Sequence, residues 1–276
     1  VKTMKYLKRM GHSVCISTEL EPDITSYDLI HVFNLARPQE VYLQVRNAVR
    51  HGKKVALSTI YVSYDEYERK ARRGITGMVG NMLGPSSREY LKVAARAVMN
   101  REVHKGTALL LLNGFRALQD TILDMTDVLL PNSHSELQRI KVEHPIVDKK
   151  KYVIVPNAVD AELFGVNISE IREETKRYQE CVLSVSRIEG GKCQLELVRA
   201  MRELPWQLVL IGRPAPNHRH YFALVKKEAG SNIHFLGAVD HEQLAHYYAM
   251  AKVHVLVSWM ETTGLSSLEA AAMGCN

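Results

Sequence analysis

Two glutamates, Glu261 and Glu269, lie eight positions apart where a β-branched apolar run gives way to an alanine-rich helical pattern. Between them, the residues from Glu261 to Gly264 read as a turn at a strand's carboxyl end, the place where open α/β sheets bind ligands. A helix start offers free N–H groups and the positive end of its dipole, which favour an anion, and Gly264 lets that anion approach the backbone. Glu269 lies further along the helix, ~7 Å at 1.5 Å of rise per residue. Carboxylates would repel a phosphate but accept hydrogen bonds from a vicinal diol. The pattern suits a ligand with an anionic middle and hydroxylated rings on both sides, such as a nucleoside-diphosphate sugar. Taken alone, the two glutamates are better read as a surface turn residue and a solvated helix residue.

A second segment, Ser184 to Lys192, again follows a strand and precedes a helix, bringing Arg187, the Gly190-Gly191 turn and Lys192. Cations and backbone N–H groups at such a turn suit a diphosphate. By itself the string is a weak signal, equally explained as a capping turn.

The elements that must hold these segments alternate along the chain. Strands are expected at 28–35, 54–61, 128–132 and 152–155, with a further one at 12–18, and helices at 38–51, 86–100 and 103–125, after an amphipathic helical opening over 1–10. In the second half, strands at 181–186, 207–212, 233–236 and 253–258 alternate with helices at 192–204, 218–229, 241–251 and 265–274. This β-α series implies parallel sheets of right-handed units, hence an α/β protein. A length of 276 residues fits two domains. The lapse of pattern near 156–171 and the polar stretch 167–180 set the expected boundary, giving domains 1–165 and 166–276. The chain opens without a strand before its first helix and closes where another strand is due, so both ends read as cut.

The longest aliphatic run, residues 108–112, is far below the ~20 residues of a membrane span, and no signal-peptide pattern opens the chain, which points to the cytoplasm. The four cysteines are widely spaced, with no CxxC pair, and read as buried thiols. The formal charge of +6 suits an anionic ligand or a membrane surface. Its densest clusters, Lys70 with Arg72 and Arg73, and Lys149 to Lys151, read as solvated loop charge. No aromatic interleaving accompanies them, which argues against nucleic-acid binding.

Together these segments resemble the retaining glycosyltransferases of the GT-B fold, the group called family four (glycosyl transferases group 1). The resemblance rests on Val185 to Arg187 with Lys192, Leu210 to Gly212, Phe235 to Gly237, Tyr247 to Ala251, and the E-x7-E pair Glu261 and Glu269. It extends in the first half to Pro156 to Asp160 and to Gly11-His12. It implies two Rossmann-like domains facing a cleft, with a donor site in the second and a hydroxyl acceptor bound by the first. By this resemblance Arg187 and Lys192 grip the diphosphate and Glu261 holds the donor sugar, these three carrying the catalysis. Glu269 holds the ribose, backbone groups from Gly237 to Val239 face the base, and Gly191, Thr263, Gly264 and Leu265 line the phosphate turn. It also implies a UDP- or GDP-linked donor, no divalent metal and no separate cofactor, and retention by same-face attack in which the leaving phosphate takes the acceptor proton. The acceptor is a saccharide, a lipid-linked or a small molecule, and the basic charge leaves room for peripheral membrane contact.

The sequence departs from the family pattern in two places. Thr262 and Thr263 stand where proline and phenylalanine are frequent, and Ser58 or Tyr61 occupies the place of a histidine near the sugar. Asn34 is a weaker candidate for the cleft, and His104 and His134 read as structural or surface residues. A non-catalytic sugar-nucleotide-binding scaffold and a nucleotide-sugar epimerase are the alternatives, separable by turnover.

Overall fold

The computed structural model describes residues 2–61, 105–165 and 173–276. The expected helix at 86–100, His104 and the cluster at Lys70 to Arg73 lie outside these residues. The chain divides into two units, the change falling at Pro156, so that 156–165 belong with the second unit rather than with the first as the expected boundary at 166 would have it.

The first unit carries α1 (Lys2–Arg9), β1 (Leu29–Phe33), α2 (Pro38–Arg50), β2 (Lys54–Ser58), α3 (Lys105–Asn113), α4 (Phe115–Met125), β3 (Val128–Leu129), α5 (His134–Glu143) and β4 (Lys151–Tyr152). Its strands are parallel and ordered β1-β2-β3-β4. Val32, Val55, Leu57 and Leu129 from the sheet pack with Val45, Ile122 and Ile140 from the helices. Each such buried side chain contributes roughly 1.5–3 kcal/mol, so the sheet is held by its helices.

Three expectations change here. Residues 12–18 form no strand; Ile16 is exposed, and an apolar run without a sheet partner has no ladder to join. The helix expected at 103–125 is broken at Gly114, whose φ of 92° no helix accommodates. Helix α5 was not anticipated, although Ser133 and Glu136 spell its start: Ser133 Oγ accepts the Glu136 N–H at 3.1 Å.

The second unit carries α6 (Glu173–Lys176), β5 (Val182–Val185), α7 (Gln194–Met201), β6 (Leu208–Ile211), α8 (Arg219–Glu228), β7 (Ile233–Gly237), α9 (His241–Met250), β8 (Val253–His254) and α10 (Leu265–Ala272). Its parallel strands run β7-β6-β5-β8. Strand β6 is buried throughout, and its side chains alternate between two cores. Val209 and Ile211 join Tyr248 of α9 and Ala270 of α10, whereas Leu208 and Leu210 join Val198 of α7 and Val225 of α8. Helices therefore cover both faces, as the near-continuous apolar strands require.

Strand β8 is shorter than the expected 253–258, ladder pairing being confined to Val182↔Val253 and Leu183↔His254. One further bond, from the Val255 N–H to the Leu183 carbonyl at 2.8 Å, carries the run onward as extended chain toward Glu261.

Candidate functional site

Strand order fixes where a site can form in the second unit. From β5 the chain steps outward to β6 and β7, then returns to place β8 on the other flank of β5. Right-handed crossovers then put α7 and α8 on one face and α9 and α10 on the other. The connections leaving β5 and β8 diverge, and the carboxyl end of that pair is the topological switch point where open α/β sheets bind ligands. Both segments singled out in the sequence leave from these two strands.

The β5 connection is shaped by three features. Gly212, at the end of β6, has φ 148°, and a Cβ there would sit 1.9 Å from the Ser186 carbonyl oxygen, so only glycine admits the close approach. Gln194, fully buried, donates its amide N–H groups to Ser186 Oγ (2.9 Å) and the Arg187 carbonyl (2.8 Å) and accepts the Glu189 N–H (3.3 Å). The Gly190 N–H reaches His218 Nδ1 at 3.4 Å. The loop is thereby held while the Arg187 side chain stays 72% exposed, its guanidinium 3.2 Å from Glu189.

The β8 connection meets it directly. The Trp259 N–H donates to the Gly191 carbonyl at 3.0 Å, and Lys192 Nζ pairs with Glu261 Oε1. Both of these side chains are less than one-third exposed, where Coulomb attraction is less screened than at the surface. Two residues far apart in sequence are thus brought into contact.

Gly264 adopts φ 59° at the start of α10, where a Cβ would meet Leu256 Cδ2 at 3.1 Å. It supplies no capping side chain, and Leu265 is exposed beside it. Thr263 Oγ1 accepts the Asn157 Nδ2–H at 2.8 Å, tying the Pro156 to Asp160 segment to this turn. One turn along α10, Glu269 is held on both oxygens, Oε1 with His241 Nε2 at 2.9 Å and Oε2 with the Tyr248 hydroxyl at 3.0 Å. Gly237 has φ 72° with open space where a Cβ would be, its carbonyl accepting the Gly212 N–H at 2.7 Å. The Val239 side chain packs against the core around Phe164 and Tyr248.

Sequence reasoning missed Gln194, His241 and Tyr248. The last two are seven positions apart on α9, about two turns, and so share one helix face; that spacing was a readable signal. Gln194 gave none, since its partners are set by the tertiary fold.

The ends of the strands in the first unit are filled differently. Glu136, only 3% exposed, accepts the Thr59 hydroxyl (2.5 Å) and Tyr61 N–H (2.6 Å) on Oε1 and the Asn132 N–H (2.5 Å) on Oε2. Tyr61 is buried, its hydroxyl donating to Glu143 Oε2 at 2.5 Å, so it does not stand in for a sugar-facing histidine. Ser58 Oγ lies 2.9 Å from His31 Nε2, and Asn34 Oδ1 accepts the Ala36 N–H. A cavity of about 610 Å³ opens at the opposite edge, lined by Lys54, Lys149, Lys150 and Lys151 with Asp124 and Asp127. Asp127 holds Lys54 at 2.8 Å, raising the ammonium pKa and lowering its own, and Lys150 lies 3.7 Å from Asp124.

Of the four thiols, Cys181, Cys193 and Cys275 are buried, but Cys15 is exposed, contrary to expectation. Burial pushes Cys181 up to about 12, with Cys275 adding to the effect, which leaves it an inert thiol. Among the described residues no helix is long and apolar enough to cross a membrane.

Residues 167–276 match the family model described as glycosyl transferases group 1. Solved structures extend the likeness across both units. Sucrose-phosphate synthase from Thermosynechococcus elongatus superposes with a TM-score of 0.60 at 21% identity, over 90% of this chain and 55% of that one. The fold is GT-B. HepE of Anabaena in complex with UDP gives 0.61 at 14% identity, over 91% and 59%. A UDP-forming trehalose-phosphate synthase of Burkholderia xenovorans, in complex with glucose-6-phosphate, gives 0.55 at 14%, over 89% and 56%. The chain thus spans little more than half the length of these GT-B proteins. No curated protein matches the sequence.

Proposed function

We propose that this protein is a glycosyltransferase that moves a sugar from a nucleoside-diphosphate sugar, UDP- or GDP-linked, to a hydroxyl acceptor with retention of configuration. The observation that carries the reading is the meeting of the β5 and β8 connections at the switch point through Lys192 and Glu261. The glycosyl transferases group 1 match over the same unit and the UDP complex of HepE support it.

In this reading the diphosphate lies between the Gly190 to Lys192 turn and the start of α10. Arg187 and Lys192 neutralise the charge that develops as the bond from the anomeric carbon to phosphate oxygen breaks and its electrons pass to the phosphate. Such preorganised charge stabilises the transition state more than the ground state. Glu261 receives hydroxyls of the donor sugar and Glu269 those of the ribose. The acceptor oxygen attacks the anomeric carbon on the face the phosphate leaves, and its proton passes to that phosphate. Catalysis then needs no divalent metal and no separate cofactor.

The test is calorimetric titration of UDP, GDP and ADP into the intact chain, followed by acceptor-dependent nucleotide release with the matching sugar donors. One nucleotide should bind, Arg187→Ala should lose it, and Glu269→Ala should weaken it. Binding without release in any acceptor panel would favour a scaffold, and sugar conversion without acceptor an epimerase. A folded chain that bound none of the three would overturn the reading.

A further inference from the structure

Glu269 is the most tightly held of the site carboxylates. Its side chain is 15% exposed, and each oxygen has one donor from α9, His241 on Oε1 and Tyr248 on Oε2. An ionised carboxylate offers about four lone-pair directions, so one donor on each oxygen fixes its plane and leaves acceptor capacity for a ligand. The two donors differ in setting. Tyr248 is fully buried, and burial and the nearby Glu269 charge push its phenol upward, so it stays protonated. His241 is half-exposed at the site's rim. Phe164 meets both rings edge-on, at 5.1 Å from His241 and 5.9 Å from Tyr248, which fixes their orientation.

Without the second donor, the carboxylate would pivot about its terminal torsion, which is broad for glutamate. A diol needs both acceptor directions at once, and a misplaced carboxylate loses that geometry. We propose that His241 is a positioning residue that locks Glu269 in the orientation that reads a ribose diol, so that discrimination between ribo- and 2′-deoxyribonucleoside diphosphates runs through His241. This rests on the reading of the site as a sugar-nucleotide site.

The experiment compares UDP, GDP or ADP, whichever binds, with its 2′-deoxy counterpart by calorimetry on the intact chain. The proteins are the unmodified chain, Glu269→Ala, His241→Ala and His241→Gln, each also melted thermally. The unmodified chain should favour the ribonucleotide by about tenfold, as one charge-assisted hydrogen bond would give. Glu269→Ala should show no preference. His241→Ala should lose most of it, weakening ribonucleotide binding by clearly more than deoxynucleotide binding, and His241→Gln, which can still donate, should recover it. Equal weakening of both ligands in His241→Ala would mark a merely structural role and overturn the proposal, as would retained preference. If preference survives in His241→Ala but vanishes in Glu269→Ala, the inference fails and the function stands; if the unmodified chain binds no nucleotide, both fail.

Discussion

In the first unit the strands lie in chain order, β1-β2-β3-β4, and each connection steps the same way. In the second, β8 returns to the far flank of β5, and the chain leaves that pair in two directions. The strand ends are furnished accordingly. Those of the first unit are closed by a buried carboxylate, Glu136, that consumes one hydroxyl and two backbone N–H groups. Those of the second carry glycines at Gly212, Gly237 and Gly264, with Lys192 and Glu261 facing one another at the switch point. Among the described residues, two four-stranded parallel sheets thus differ at their crests: in one a buried carboxylate binds its own strand ends, in the other charged side chains from two connections pair with each other.

The contrast is open to mutation. Lys192→Ala should lower turnover by about 10²–10³-fold, the cost of removing one preorganised charge-stabilising donor, while far-UV circular dichroism stays unchanged. Equal loss from an alanine at Lys54, in the other unit, would erase the distinction. Gly212→Ala should destabilise the second unit by about 3 kcal/mol or more, since a Cβ 1.9 Å from the Ser186 carbonyl forces the backbone to move. Both tryptophans, Trp206 and Trp259, lie in that unit, so their fluorescence should report an earlier urea transition.

Glu136→Ala should cost the first unit about 3 kcal/mol by orphaning buried donors at about 1–3 kcal/mol each. Tryptophan fluorescence and nucleotide binding should hold where circular dichroism falls, and a simultaneous loss would mean that the units unfold together.

The smallest effect is with pH. Burial lowers the pKa of His31 in the first unit and His254 in the second, Glu269 partly opposing this at His254. A histidine whose folded pKa lies below its unfolded value contributes fully above the unfolded pKa, and that stability is lost as the pH falls through the folded one. Melting temperature should therefore decline below pH 6.5, the ordinary histidine value, and His254→Leu should flatten the part seen by tryptophan.

Sequence reading recovered the second unit better than the first, for a physical reason. Strands β5 and β6 are apolar enough to announce burial on both faces, and the two turns that follow β5 and β8 carry charge at spacings that a ligand would explain. Residues 12–18 carry the short apolar run Val14 to Ile16 that a strand would, yet pairing depends on a neighbour that no local pattern specifies. Tyr61 looked like a cleft residue because of its place after β2; only its bond to Glu143, far along the chain, shows it turned into the core. The clamp of Gln194 on Ser186, Arg187 and Glu189 is likewise a product of how β5 meets α7.

The short segment from Pro156 to Gly165 lies ahead of the matched residues 167–276, yet it grips the second unit at three places. Asn157 binds Thr263, Phe164 braces His241 and Tyr248, and the Gly165 N–H reaches Met273 Sδ at 3.3 Å. Homology and mechanics therefore draw the border of this domain in different places. A fragment cut at the edge of the family match would retain every glutamate and cation of the candidate site while discarding the brace behind them, so dissection of this protein should begin at Pro156.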